Sequence, residues 1–143
     1  MTYRHQGEIG VQKAIFELMK RDIRVYMPLV DDGVDILVEY NKKYYKIQCK
    51  TSKFTPKSKN CVVFDLTKTY HNNSKISVKK YLPTEVDYFF LYSDLYEDYP
   101  CLVTYNRVAG QRTFNIDFSN TKRHPLKNHY KEFNIDNHFS LRV

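Results

Sequence analysis

Asp31-Asp32-Gly33-Val34-Asp35-Ile36-Leu37-Val38-Glu39, followed by Tyr45-Lys46-Ile47-Gln48-Cys49-Lys50-Thr51, decides how this chain is read. Side chains alternate between the faces of a strand. Val34, Ile36 and Val38 therefore share one face, and Asp35, Leu37 and Glu39 the other. In the second run Tyr45, Ile47 and Cys49 stand opposite Lys46, Gln48 and Lys50. A tight turn at Asn41-Lys42 makes the two runs a hairpin that pairs Tyr40 with Lys43, Ile36 with Ile47 and Asp35 with Gln48. Directly opposed Cβ atoms lie roughly 4.5–5.5 Å apart. Asp35, Gln48 and Lys50 thus converge on one patch: a carboxylate, an amide oxygen and an ammonium, chemistry suited to a hard cation and a water molecule. The plain alternative is a strand-edge Asp35 with Lys46 and Lys50 on a solvated face.

Upstream, Gly7 to Arg21 reads as an amphipathic helix with Val11, Ala14, Ile15, Leu18 and Met19 on its buried stripe. Glu8, three before Val11, is expected on that stripe in the first turn. The helix dipole alone would favour an acid there. An inward carboxylate, however, needs a partner such as a cation or Lys50.

Downstream, Arg24 to Leu29 is a short strand ended by Pro28, and Lys53 to Asn60 is a basic loop. Cys61 to Leu66, Cys101 to Tyr105 and Thr113 to Phe118 read as strands. Val86 to Tyr92 suits a strand buried on both faces. Thr67 to Lys80 reads as a polar connection, either a mobile loop beside a binding groove or merely solvated. Pro125 to Phe133 is a candidate short helix. The chain has 143 residues with 42% hydrophobic content, which suits one domain built as an α/β fold around a central mixed β-sheet flanked by helices. Its core is expected over about residues 5–106, with 107–143 as a C-terminal extension.

No apolar run is long enough to span a bilayer, and the polar start Met1-Thr2-Tyr3-Arg4-His5-Gln6 does not read as a signal peptide. The three cysteines lack disulfide or zinc spacing, so buried free thiols in a reducing, cytoplasmic setting are expected. The five histidines show no His-Glu-X-X-His or zinc spacing, and His124 and His129 are expected on the surface. Tyr44, Tyr45, Tyr70 and Tyr81 are expected to pack on sheets. A net charge of +7 favours a polyanionic partner.

Gly7-Glu8-Ile9-Gly10 at a helix start, Asp35 on a strand after a turn, and Gln48-Cys49-Lys50 one strand later resemble the signature of the PD-(D/E)XK nucleases. The nearest likeness is to the group I intron-associated homing endonucleases of that superfamily, matched by Tyr45-Lys46-Ile47-Gln48-Cys49-Lys50-Thr51. Gln48 stands where an acid is usual, a substitution characteristic of that branch. The resemblance implies a restriction-endonuclease-like core and a Mg²⁺-dependent endonuclease, with Mn²⁺ as a substitute, cutting double-stranded DNA as a homodimer or homotetramer. It implies Glu8, Asp35, Gln48 and Lys50 as catalytic residues, with Glu8, Asp35, Gln48 and the Cys49 backbone carbonyl toward the metal. Lys53, Lys57, Lys59, Lys79 and Lys80 are the candidate phosphate contacts. The rival readings are a Holliday-junction resolvase or another structure-specific nuclease and, from a different class, a DNA-binding module that does not cleave.

Overall fold

The computed structural model describes residues 3–29, 33–52, 60–120 and 128–139. The chain opens with helix α1 (Tyr3–Met19), then strands β1 (Arg24–Tyr26), β2 (Ile36–Tyr40) and β3 (Lys43–Ser52). Next come β4 (Cys61–Asp65), β5 (Thr67–Asn72), β6 (Lys75–Lys80), β7 (Tyr88–Ser93) and β8 (Cys101–Thr104). One-turn helix α2 (Tyr105–Val108), β9 (Thr113–Asp117) and two short 3-10 helices (Tyr130–Phe133, Ile135–Asn137) finish the described chain. Among the described residues no helix is long and apolar enough to cross a membrane.

The main sheet has the order β1-β2-β3-β7-β8. It is mixed, because β3 and β7 run parallel while the other neighbours are antiparallel. A parallel pair needs a long crossover, and here β4, β5 and β6 supply it. The predicted register of the first hairpin is observed, with Tyr40 opposite Lys43 and Ile36 opposite Ile47. Asn41 and Lys42 both have positive φ, 53° and 63°, as a type I′ turn requires.

Strand β7 explains how two cores share one sheet. Phe90 and Tyr92 point into a cluster with Ile36, Val38 and Ile47 under Ala14 and Leu18 of α1. Phe89 and Leu91 point into a second cluster with Val62 and Phe64 of β4 and Phe114 and Ile116 of β9. The region after residue 107 feeds both: Phe114, Ile116 and Phe133 enter the second cluster, Ile135 and Phe139 the first.

Several expectations change. Helix α1 begins at Tyr3, ahead of Gly7. Its stripe is rotated: Glu17 is only 6% exposed whereas Met19 is 63% exposed. Glu17 is tolerated inside because Arg21, Lys13 and Lys20 surround it, with Arg21 Nη1 at 2.9 Å. Arg21 also holds Asp136 at 2.6 Å, tying the helix to the tail. Thr67 to Lys80 is a β-hairpin, β5 and β6, forming a two-stranded sheet of its own. His129 is buried, its Nε2 2.8 Å from the Ser119 carbonyl, because a satisfied imidazole can be enclosed; His124 lies outside the described residues. Tyr45 packs edge-on against Tyr88, and Tyr81 is buried, but Tyr44 and Tyr70 are exposed. Of the cysteines, Cys101 is buried while Cys49 and Cys61 are partly buried; all three are free.

Candidate active site

The site lies where β2 has not yet begun. The β2–β3 ladder stops at Ile36–Ile47, leaving the next inward amide of β3 without a strand partner. Asp35 supplies one, its Oδ2 accepting from the Cys49 backbone N–H at 2.9 Å. A carboxylate in the bend before a strand is thereby fixed against the neighbouring strand.

A cleft of about 810 Å³ opens here, lined by Gly7, Glu8, Val11 and Gln12 of α1, Met27 and Pro28 past β1, and Val34, Asp35, Gln48 and Cys49. Glu8 and Asp35 thus meet Gln48 in one cleft. Helix α1 packs on the face of Ile36 and Ile47, opposite Gln48, and residues of both line the cleft at the open end of β2. Glu8 was expected to point into the core; it is exposed instead. An exposed carboxylate avoids the desolvation cost of a buried one.

The helix can come this close because of Gly10. A Cβ at that position would collide with Thr51 Oγ1 on β3. The same hydroxyl donates to the Gln6 carbonyl at 3.4 Å.

Lys50 is not among the residues lining the cleft. Its Nζ donates to the Thr67 carbonyl at 2.6 Å and stands 5.1 Å from the centre of the Tyr81 ring. Burial lowers its proton affinity, Lys68 adds to that, and the charges of Asp65 and Asp35 pull the other way. The Thr67 carbonyl is itself positioned by Asp65, whose Oδ1 accepts from the Thr67 amide at 2.8 Å and from its hydroxyl at 2.5 Å. Tyr81 closes the pocket around Lys50; burial and the nearby Asp35 raise its phenol above the ordinary range. Burial likewise raises the Cys49 thiol well above its usual value, with Asp35 adding to it. That leaves Cys49 a packing group, not a nucleophile.

Gln48 bears on whether this donor set suits a divalent cation. Its Oε1 is buried and accepts no hydrogen bond from any described residue, an arrangement that costs free energy unless something fills it. Two carboxylates, an amide oxygen and the Cys49 carbonyl are hard oxygen donors of the kind Mg²⁺ takes. Among the described residues no three His, Cys, Asp or Glu side chains form a ready-made cage. A cation held here would depend also on the amide and backbone oxygens.

Sequence reasoning missed the polar layer around Lys50, made by Asp65, Thr67, Lys68 and Tyr81. The spacing Asp65-Leu66-Thr67 is an Asx-turn signal that would have found its anchor. Of the candidate phosphate contacts, Lys79 and Lys80 are exposed on β6; Lys53, Lys57 and Lys59 lie outside the described residues.

A solved bacterial homing endonuclease, I-Ssp6803I, has a similar fold, with TM-score 0.75 and 21% identity over 94% of this chain and 89% of that one. No curated protein matches the sequence. The family model described as PD-(D/E)XK endonuclease matches residues 1–139, well past the motifs into the tail. This chain belongs to the PD-(D/E)XK endonuclease family.

Proposed function

We propose that this protein is a divalent-metal-dependent endonuclease that hydrolyses phosphodiester bonds of duplex DNA in the manner of a homing enzyme. Mg²⁺ is its working ion and Mn²⁺ a substitute. The observation that carries the reading is the buried Gln48 Oε1, without a hydrogen-bond partner among the described residues, in the cleft that also holds Glu8 and Asp35, two residues before Lys50, whose ammonium is held by the Thr67 carbonyl.

Asp35, Gln48, Glu8 and the Cys49 carbonyl would hold the ion. When bound, it supplies Lewis acidity at a phosphate oxygen. The Cys49 amide keeps the Asp35 carboxylate aimed in one direction. Glu8, exposed on α1, accepts hydrogen bonds from water entering the cleft. Lys50, with one ammonium proton committed to Thr67, has two more to offer to the attacking water and to the phosphoryl oxygens on which charge develops. Its burial strengthens that interaction by excluding solvent. One small domain reaches few base pairs, and two strands need two sites, so a homodimer or homotetramer is the expected working form.

The test is cleavage in Mg²⁺ of a genome-scale duplex pool and of a four-way junction. A pool is needed because a homing-type site is long and rare. Wild type should cut the duplex, and Asp35→Ala and Lys50→Ala should each lose at least about a hundredfold in rate. Preference for the junction would select a structure-specific nuclease. Tight binding without cutting of any substrate would make the protein a binding module.

A further inference from the structure

We propose that the β5–β6 ribbon enters the major groove of duplex DNA, and does so with one face only, the face that carries Lys75 and Lys79. The inference rests on the duplex-DNA reading above and adds the element that grips the duplex. A two-stranded antiparallel ribbon is among the few elements that the major groove, about 12 Å wide, admits. Among the described residues this ribbon belongs to no larger sheet, and every residue of β6 is exposed.

The register divides its side chains. Lys68 pairs with Lys79 and Tyr70 with Ser77, opposed residues share a face, and Lys75, two before Ser77, stands with them. Thr67 pairs with Lys80 and Thr69 with Val78, so Lys80, Val78 and Ile76 stand on the other face. On the first face Lys79 Nζ lies 5.3 Å from the Tyr70 ring centre, and Lys68 donates to the Tyr70 hydroxyl at 3.3 Å. Lys68 is neutralised by Glu85. Lys75 and Lys79 form no ion pair with any described residue, so theirs are the charges a phosphate would meet.

This face also leads into the site. Lys68 and Lys50 both lie over the Tyr81 ring, at 5.0 and 5.1 Å, and Thr67, the first residue of the ribbon, is the residue whose carbonyl Lys50 holds. A duplex gripped by Lys75 and Lys79 would thus lie on the side of the ribbon that leads to the Lys50 ammonium. On the opposite face exposed Ile76 and Val78 offer a phosphate nothing, and its one lysine, Lys80, stands at the root of the ribbon opposite Thr67.

Lys79 and Lys80 are adjacent, so Lys79→Ala and Lys80→Ala remove the same charge from opposite faces. Binding of a short mixed-sequence duplex, followed by fluorescence anisotropy in EDTA so that no cutting intervenes, separates them once equal thermal midpoints show that both fold. Lys79→Ala and Lys75→Ala should each weaken binding about three- to tenfold and lower the salt slope by about one, while Lys80→Ala stays within about twofold. A duplex of the same sequence whose cytosines carry glucosylated hydroxymethyl groups has its major groove filled. It should bind wild type about tenfold more weakly, and that penalty should vanish in the Lys75→Ala/Lys79→Ala double variant. Equal losses in Lys79→Ala and Lys80→Ala, or no effect of glucosylation, would overturn the proposal and leave the reading of the active site intact. A wild type that binds no duplex would overturn both.

Discussion

Two hairpins of this molecule share a turn and little else. β2–β3 turns at Asn41-Lys42 and β5–β6 at Asn73-Ser74, and all four residues have positive φ, between 47° and 65°. In the first hairpin Ile36, Val38 and Ile47 are fully buried beneath α1. In the second, every residue of β6 faces solvent. Turn chemistry closes a hairpin in either setting; whether it becomes core depends on an apolar face with something to cover it. A lone two-stranded ribbon is marginal in water. This one is held at its root, by Asp65 and Lys50 on Thr67 and by the Lys68–Glu85 pair.

The sharpest way to break this contrast is to truncate an isoleucine in each hairpin. Ile47→Ala should cost about 2–5 kcal/mol of global stability by urea denaturation, while Ile76→Ala on the ribbon should stay within about 0.5 kcal/mol. Equal losses would mean that the ribbon is part of the core. A smaller effect tests the cover over the first hairpin. Gly10→Ala forces a methyl against Thr51 and should destabilise by about 1–3 kcal/mol. Gly7→Ala, three residues earlier with nothing within 4 Å of its added Cβ, should stabilise by up to about 1 kcal/mol through helix propensity alone.

Acid should loosen the same cover. Burial disfavours the Glu17 charge, but the Arg21 hydrogen bond with Lys20 and Lys13 outweighs it, and its pKa is lowered. A lowered folded-state pKa means stabilisation that is complete above the unfolded value of about 4.3. It is lost as pH falls through the folded-state value. Glu17→Gln should therefore be about 1–2 kcal/mol less stable than wild type at neutral pH, and the gap should close in acid. A gap independent of pH would show that the pair contributes through packing alone.

The first hairpin was legible because strict alternation and a two-residue turn fix its register, and with it the placing of Asp35 beside β3. Glu8 was expected to face inward, and it is exposed instead. The buried stripe of α1 includes a glycine and a glutamate, Gly10 and Glu17, while Phe16 and Met19 are exposed, so hydrophobicity misreports the phase. The second hairpin escaped notice because its strands are mostly polar. Yet Lys75-Ile76-Ser77-Val78-Lys79 alternates, and Asn73-Ser74 suits its turn. The tail looked like an appendage since its apolar residues are scattered among charged ones. Phe133, Ile135 and Phe139 find their places only through contacts distant in sequence.

The central claim is that Asp35 and Gln48 converge on one cation site, and Mn²⁺ binding followed by electron paramagnetic resonance tests it without any need for the DNA target. Wild type should bind Mn²⁺ with Mg²⁺ competing. Asp35→Ala should abolish binding, and Gln48→Leu, which removes the orphaned oxygen at near-constant volume, should weaken it about tenfold or more. Unchanged Mn²⁺ affinity in both variants would contradict the account.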